Sequence, residues 1–242
     1  MKHTDPPQSL SEIIGQKNIK ENLSIQIIAA KTRGDFLEHL LFYGPYGSGK
    51  STLAKVVAND MGVNFKSIDG STLAKPMDIA NTITNLYAGD ILIVEQIEKL
   101  RKKILEILYP ALEDFVLDVV IGKGLSARYA RLKLPKFTLI GTTSKLSAVD
   151  ERLKKFMFLY NLEPYDNNDL SRMIIFFAKQ NAITIDIDAV SILAKYSKGL
   201  PAEASNLLRH AHNYAIARAD GVITLNVAKK ALNLRIDYRD EK

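Results

Sequence analysis

The hydrophobic positions change their spacing several times along the chain, and each change predicts a different kind of element. From Ser11 to Thr32 the residues Ile13, Ile14, Ile19, Leu23, Ile27 and Ile28 recur at helical intervals, which predicts an amphipathic helix. Leu40-Leu41-Phe42-Tyr43 is instead an unbroken apolar run that stops at Gly44-Pro45, the form of a buried strand meeting a loop. Ser51 to Met61 returns to helical spacing. A second apolar run, Ile91-Leu92-Ile93-Val94, precedes a charged segment and a helical pattern through Leu112, and a third, Phe137-Thr138-Leu139-Ile140, ends at Gly141. Strand, helix, strand, helix, strand predicts an α/β fold: a parallel sheet covered by helices. Between the second and third runs, Phe115 to Leu134 alternates Val and Leu positions around Gly122 and Gly124, which predicts an inserted β-hairpin.

Beyond Pro164 only helical spacing remains: Asp169–Asn181, Asp188–Lys198, Pro201–Ala219 and a short helix from near Asn226. The expected organisation is an exposed arm over residues 1–10, stiffened by Pro6-Pro7, an α/β domain over 11–163 and a small all-helical domain over 164–242. Asp166 to Asp169 reads as a capping run that opens a helix at Leu170 rather than as a carboxylate cluster. The segment after Ala178 reads as a helix end, a short extended piece and a new cap at Asp188.

Composition narrows the chemistry. Of 242 residues, 47% are hydrophobic and 25% charged, enough for ordinary buried cores. The absence of Cys excludes disulfides, thiolate metal sites and a thiol nucleophile. His3, His39, His210 and His212 form no metal-ligating pair, because a spacing of two on a helix sends side chains in different directions. No apolar run is long enough to span a membrane, and the first residues lack a signal peptide's apolar core, so a soluble cytoplasmic protein is expected. The net charge of +6 fits a polyanionic partner. Arg101, Lys102, Lys103, Arg128 and Arg131 are candidate contacts to branched or duplex DNA, although such clusters also form solvated faces.

The sharpest signal is Gly44-Pro45-Tyr46-Gly47-Ser48-Gly49-Lys50-Ser51, a complete GxxxxGK[ST] followed by Thr52, placed after an apolar strand and before a helix. Glycines let consecutive N–H groups turn toward one anion, and the helix that follows adds its positive end. Lys50 would reach the β- and γ-phosphates and the Ser51 hydroxyl would ligate Mg2+. A nucleoside triphosphate with Mg2+ is therefore the expected ligand.

Several longer strings carry a family likeness. SEIIGQKNIKENL, HLLFYGPYGSGKSTLAKVVANDMGVNFK, EILYPALEDF, IGKGLSAR and FTLIGTT resemble the RuvB family, AAA+ motors of Holliday-junction branch migration. The likeness runs almost ungapped from Leu10 to Asp237. It implies a P-loop AAA+ sheet with an inserted hairpin, a helical lid, ATP or ADP between them, and a hexameric ring around DNA. It also implies a RuvA-like partner docked on the hairpin 115–134. By the same likeness Ile13 and Ile14 hold adenine, and Tyr165 stacks on it or packs in the hinge. Tyr46, where RuvB has Pro, is at most a neighbouring contact. Sequences of the family continue into a winged-helix domain that would begin near Asp237–Lys242.

The departures from the family pattern fall on charged positions. RuvB ends its second predicted strand in Asp-Glu, whereas here Glu95 stands for the Mg2+-holding Asp and Gln96 for the water-activating Glu. An amide orients a water but accepts no proton at pH 7. At the arginine finger the chain reads Arg152-Leu153-Lys154-Lys155-Phe156, so Lys154, Lys155 or Arg152 would serve. In the lid, Pro201-Ala202 replaces Pro-Arg, which removes the charge that senses the γ-phosphate, and Arg209 lies too far along the helix to replace it. Thr143 or Ser144 keeps the sensor hydroxyl of the third strand. The expectation is a RuvB-like ATP-binding protein with weakened hydrolysis. The alternatives are a non-hydrolysing pseudo-ATPase regulator or mixed-ring subunit, and a clamp-loader-like AAA+ subunit.

Overall fold

The structure is a computed structural model and describes residues 6–121 and 128–237. A short 3-10 turn, Leu10–Glu12, leads to α1 (Lys17–Arg33), β1 (Leu40–Tyr43), α2 (Lys50–Met61), β2 (Phe65–Asp69) and α3 (Pro76–Thr84). Next come β3 (Ile91–Glu95), α4 (Lys102–Glu113), the pair β4 (Val116–Ile121) and β5 (Arg128–Lys133), then β6 (Thr138–Thr143), α5 (Glu151–Lys154) and β7 (Phe158–Asn161). The remainder is helical: α6 (Asn167–Gln180), α7 (Ile187–Tyr196), α8 (Pro201–Arg218) and α9 (Leu225–Asp237).

Five parallel strands lie in the order β2-β3-β6-β1-β7. The three central ones are the three apolar runs of the sequence, and their alternate residues feed two cores. Leu41, Leu92, Val94 and Leu139 pack with α3 and α4 on one face. Leu40, Phe42, Ile91, Ile93 and Ile140 pack with α1 and α2 on the other. The edge strands β2 and β7 were not foreseen. Phe65, Lys66, Ser67, Phe158 and Leu159 are exposed; Lys66 and Ser67 interrupt β2, β7 sits in the apolar run Phe156 to Tyr160, and backbone pairing to a buried neighbour holds each in place. All five carboxyl ends lie on one side, with Tyr43 opposite Thr143 and Asp69 opposite Glu95, where α/β sheets hold their ligands.

His39, buried just before β1, ties the sheet to its cover. The Leu139 amide donates to its Nδ1 at 3.0 Å, which leaves Nε2 protonated and facing the Leu112 carbonyl. Burial lowers its pKa to about 4. The antiparallel β4–β5 pair supplies the two strands of the expected hairpin, and residues 122–127, with Gly122 and Gly124, lie outside the described residues.

Some expectations need correction. The first helix does not run from Ser11: Gly15 (φ 74) and Gln16 (φ 49) are left-handed and separate the 3-10 turn from α1. The arm is held from residue 6 onward. Pro6 and Pro7 line the main cleft, Leu10 is buried, and the Leu10 amide donates to Asp60. The α6 cap is Asp166, which accepts from the Asp169 amide, so the helix opens at Asn167 rather than Leu170. The cap of α7 is Asp186 rather than Asp188, because the preceding chain is pinned by the Ile185–Ile223 bridge. The last helix is 13 residues long rather than short. The four helices bury their own core, built on residues such as Leu170, Leu193, Leu208 and Ile223.

Candidate active site

A cleft of about 760 Å3 opens between the strand tips and the helical bundle, within the ~300–1,000 Å3 usual for small-molecule sites. The loop between β1 and α2 forms its floor. Gly44, Gly47 and Gly49 have φ of 146, 82 and 96, conformations that favour glycine, and a Cβ on Gly44 would clash with the Leu162 carbonyl. Lys50 Nζ folds back and donates to the Gly44 and Pro45 carbonyls at 2.8 and 2.7 Å. Burial pulls its pKa below the ordinary lysine value, against a weaker upward pull from Glu98. Ser48 Oγ is buried with no hydrogen-bond partner.

At the tip of β3 the Ser51 hydroxyl donates to Glu95 Oε2 at 2.8 Å, and the Ser67 hydroxyl donates to Oε1 at 3.4 Å. Ser51 and Glu95 thus place two oxygen donors together at the end of the loop. Among the described residues no group of three or more His, Cys, Asp or Glu could hold a metal unaided. That donor set fits Mg2+, which takes one or two protein oxygens and completes its shell with phosphate and water. The glycine cradle and Lys50 likewise fit a phosphate chain.

Gln96 follows in a left-handed conformation and lines the cleft, and its Nε2 donates to Asp69 Oδ2 at 2.8 Å. Asp69, the last residue of β2, also accepts from the Ser71 hydroxyl and amide. Those bonds, the hydroxyl's first, hold its carboxyl below the usual carboxylate range. Thr143 is buried, and its Oγ1 accepts from the Lys145 amide, while Ser144 is exposed; both line the cleft.

The other end of the cleft is apolar. Ile13 and Ile14 line it from the N-terminal segment, and Met173, Phe176 and Phe177 line it from α6. Tyr165 stands between, its hydroxyl pushed up to about 12 chiefly by burial, with its ring 2.8 Å from where a Gly15 Cβ would be. Gln16 Nε2 donates to the Glu163 carbonyl, closing the first turn onto the hinge. Across the cleft Pro201 opens α8, the Ala202 amide donates to the Gly47 carbonyl at 3.2 Å, and a Cβ on Gly47 would come within 2.9 Å of the Ala202 Cβ.

Most of the site residues expected from sequence therefore converge on one cleft. Tyr46, 89% exposed, lines its mouth, as does Thr52. The three finger candidates do not join it. Arg152 lies 4.2 Å over the Tyr109 ring and 3.5 Å from Glu113, and Lys154 is bonded to Glu151 at 2.6 Å. Lys155 is exposed and makes no ion pair among the described residues. Asp69 and the α6 aromatics were missed by sequence reasoning. The aromatics carried a signal, since Phe176-Phe177 is an adjacent pair on an otherwise ordinary amphipathic helix. Asp69 belongs to no motif.

A parallel sheet with a phosphate loop after its first strand, a carboxylate at the tip of a neighbouring strand and a helical lid over the cleft defines a P-loop protein of the AAA type. Residues 6–162 match the family model described as the Holliday junction DNA helicase RuvB P-loop domain, and residues 165–237 match the RuvB AAA lid domain. The chain belongs to the RuvB family. It is similar to the Thermotoga maritima RuvB Holliday junction branch migration motor, with 32% identity and a TM-score of 0.84 over 95% of this chain and 72% of that one. A single-residue variant of the Thermotoga protein matches at 32% identity and a TM-score of 0.86, over 95% of this chain and 73% of that one.

Proposed function

We propose that this chain is an ATP-binding subunit of Holliday-junction branch migration whose own hydrolysis is slowed by Gln96 and Ala202. One observation carries the reading: an intact phosphate loop, with Lys50 and the Ser51–Glu95 pair in place, faces a strand tip whose next residue is a neutral amide. The loop amides and Lys50 hold the phosphates, and the apolar end of the cleft, with Ile13, Ile14 and Tyr165, takes the base. Mg2+ held by Ser51 and Glu95 would neutralise charge on the phosphates. Gln96 can orient a water through its amide oxygen but takes no proton from it. Loss of a general base typically removes about 10²–10⁴ in rate, or about 3–5 kcal/mol of barrier.

The assembly is read from the same family. The β4–β5 hairpin is the docking arm for a RuvA-like partner, and subunits close into a hexameric ring, or a mixed ring with RuvB-like neighbours, around branched or duplex DNA. Exposure of Lys155 supports it as the cation offered to a neighbour's γ-phosphate, since Arg152 and Lys154 are tied within their own chain. A lysine there is a point charge without the planar fork of arginine. Among the described residues no helix is long and apolar enough to cross a membrane.

The test is steady-state ATP hydrolysis with and without junction DNA, beside equilibrium binding of a fluorescent ATP analogue, repeated on Gln96→Glu. Binding with low turnover that rises at least about tenfold in Gln96→Glu is expected. Turnover of the unmodified chain at an ordinary motor's rate, unchanged by Gln96→Glu, would sink the slowed-hydrolysis reading. No binding at all would overturn the ligand assignment itself.

A further inference from the structure

We propose that Asp69 is the proton acceptor for ATP hydrolysis in this chain, working through Gln96 in place of the glutamate that the RuvB pattern puts on β3. The inference deepens the functional reading above and rests on ATP binding in the same cleft.

Asp69 ends β2 directly opposite Glu95, and its carboxylate faces the cleft that Lys50, Ser51 and Gln96 also line. The two strand tips are fixed to each other through their backbones. The Gly70 amide donates to the Glu95 carbonyl at 2.7 Å, and a Cβ on Gly70 would meet the Gln96 carbonyl oxygen at 2.7 Å. Only glycine after Asp69 permits this approach. Gln96 meanwhile keeps a left-handed backbone (φ 50, ψ 49), which costs a non-glycine residue about 1–2 kcal/mol. Such strain persists where the surroundings over-determine it, and it clusters at functional sites.

The hydrogen bond between the two side chains has one chemical sense. An ionised carboxylate has no proton to give, so the Gln96 group facing Asp69 is Nε2, and Oε1 remains free to accept an O–H from water. Asp69 Oδ1 is committed to the Ser71 amide and hydroxyl, whereas Oδ2 receives only Gln96 and keeps a free lone pair. The pair therefore supplies together what one glutamate supplies elsewhere: an oxygen that orients a water and an anion that takes its proton. The water-orienting oxygen and the proton-accepting acid thus sit on neighbouring strands.

Other carboxylates of the neighbourhood are less suited. Glu95 holds the Ser51 and Ser67 hydroxyls, and Glu98, although its Oε2 is buried without a hydrogen bond, lines a separate hollow with Tyr109 and Asp150. In the step assigned to Asp69, the water oxygen forms a bond to the γ-phosphorus. The bond from that phosphorus to the bridging oxygen breaks, and ADP leaves with the electron pair. The water's proton passes to the Asp69 carboxylate and then to solvent. Aspartate is one methylene shorter than glutamate and half of this carboxylate is occupied by Ser71, so the expected turnover is slow rather than absent.

The experiment compares the full chain with Asp69→Asn, Gln96→Glu and the exchanged pair Asp69→Asn/Gln96→Glu. Phosphate release, equilibrium binding of a fluorescent ATP analogue and thermal unfolding are measured on each. Asp69→Asn is expected to lower kcat by about tenfold to a hundredfold while analogue affinity stays within about twofold. The exchanged pair is expected to recover at least the unmodified rate, because the acid is then back on β3 with an amide opposite it. A lowered kcat in Asp69→Asn with analogue affinity and thermal unfolding unchanged separates a proton acceptor from a merely structural aspartate, whose loss would move those readouts too. Unmodified turnover in Asp69→Asn, or failure of the exchanged pair to recover although it folds and binds, overturns the proposal. An unmodified chain that binds but does not hydrolyse also overturns it and leaves the ATP-binding reading standing. Failure of every chain to bind ends both.

Discussion

The loop after β1 and the tip of β3 face the same cleft, yet they retain different shares of a phosphate-handling site. The loop keeps its glycines, Lys50 and Ser51, and works mainly through backbone amides whose direction is fixed by φ values that favour glycine. The β3 tip carries the neutral Gln96 where the resemblance implies an acid, and the lid facing the loop carries Ala202 where it implies a cation. Holding a polyphosphate needs many weak, geometrically fixed donors, whereas cleaving it needs one proton acceptor at one place. The first requirement is distributed over a whole loop. The second rests on a single side chain.

Three measurements press on this contrast. The largest expected effect concerns the sheet that both regions share. The folded-state pKa of His39 lies near 4, below the unfolded value near 6.5, so the unfolded chain takes up a proton first as pH falls. Stability is then full above about pH 6.5 and falls by about 2 kcal/mol at pH 5 and about 3 kcal/mol by pH 4. Urea unfolding across that range checks the slope, and His39→Gln, which can still accept from Leu139 and donate to Leu112, is expected to flatten it. A slope unaltered in His39→Gln would assign the acid sensitivity elsewhere.

Next in size, Lys50→Ala removes the loop's cation and should weaken both ATP and ADP binding by roughly 10–100-fold, the ~1.5–3 kcal/mol of a charge-assisted hydrogen bond. Fluorescence titration reads this directly. A loss confined to kcat, with affinity intact, would break the division of labour drawn above. The smallest effect belongs to Ala202→Arg. It should favour ATP over ADP by a few-fold, about 0.5–1 kcal/mol for a partly solvated charge pair, as read by competition titration. Equal gains for both nucleotides would mean that the new charge does not reach the γ-phosphate.

The central strands, the phosphate loop and the hairpin were legible because each has a local signature: a continuous apolar run, a glycine pattern, an alternation around glycines. Of the edge strands, β7 carried a signal that was passed over, the apolar run Phe156 to Tyr160, whereas Lys66 and Ser67 interrupt β2 and the pairing that makes it a strand is a property of its neighbour. The same limit hid Asp69. Its importance lies in the sheet register that sets it opposite Glu95, 26 residues on, and no spacing rule within one segment encodes that. Arg152 is set apart for a similar reason, because Tyr109 and Glu113 engage it only once the chain is folded, whereas the Glu151–Lys154 pair is local.

The first turn of α8 grips the phosphate loop by a backbone amide, Ala202 to Gly47, and by a van der Waals fit that excludes any side chain at position 47. This is a mechanical linkage rather than a chemical sensor. It follows where the loop goes but carries no information about how many phosphates the loop holds. An arginine at the same point would count negative charge, and a peptide hydrogen bond registers only displacement. On the ATP-binding reading proposed above, displacement of the loop reaches the helical bundle through this contact, and the distinction between triphosphate and diphosphate enters through the strand tips and a neighbour's Lys155.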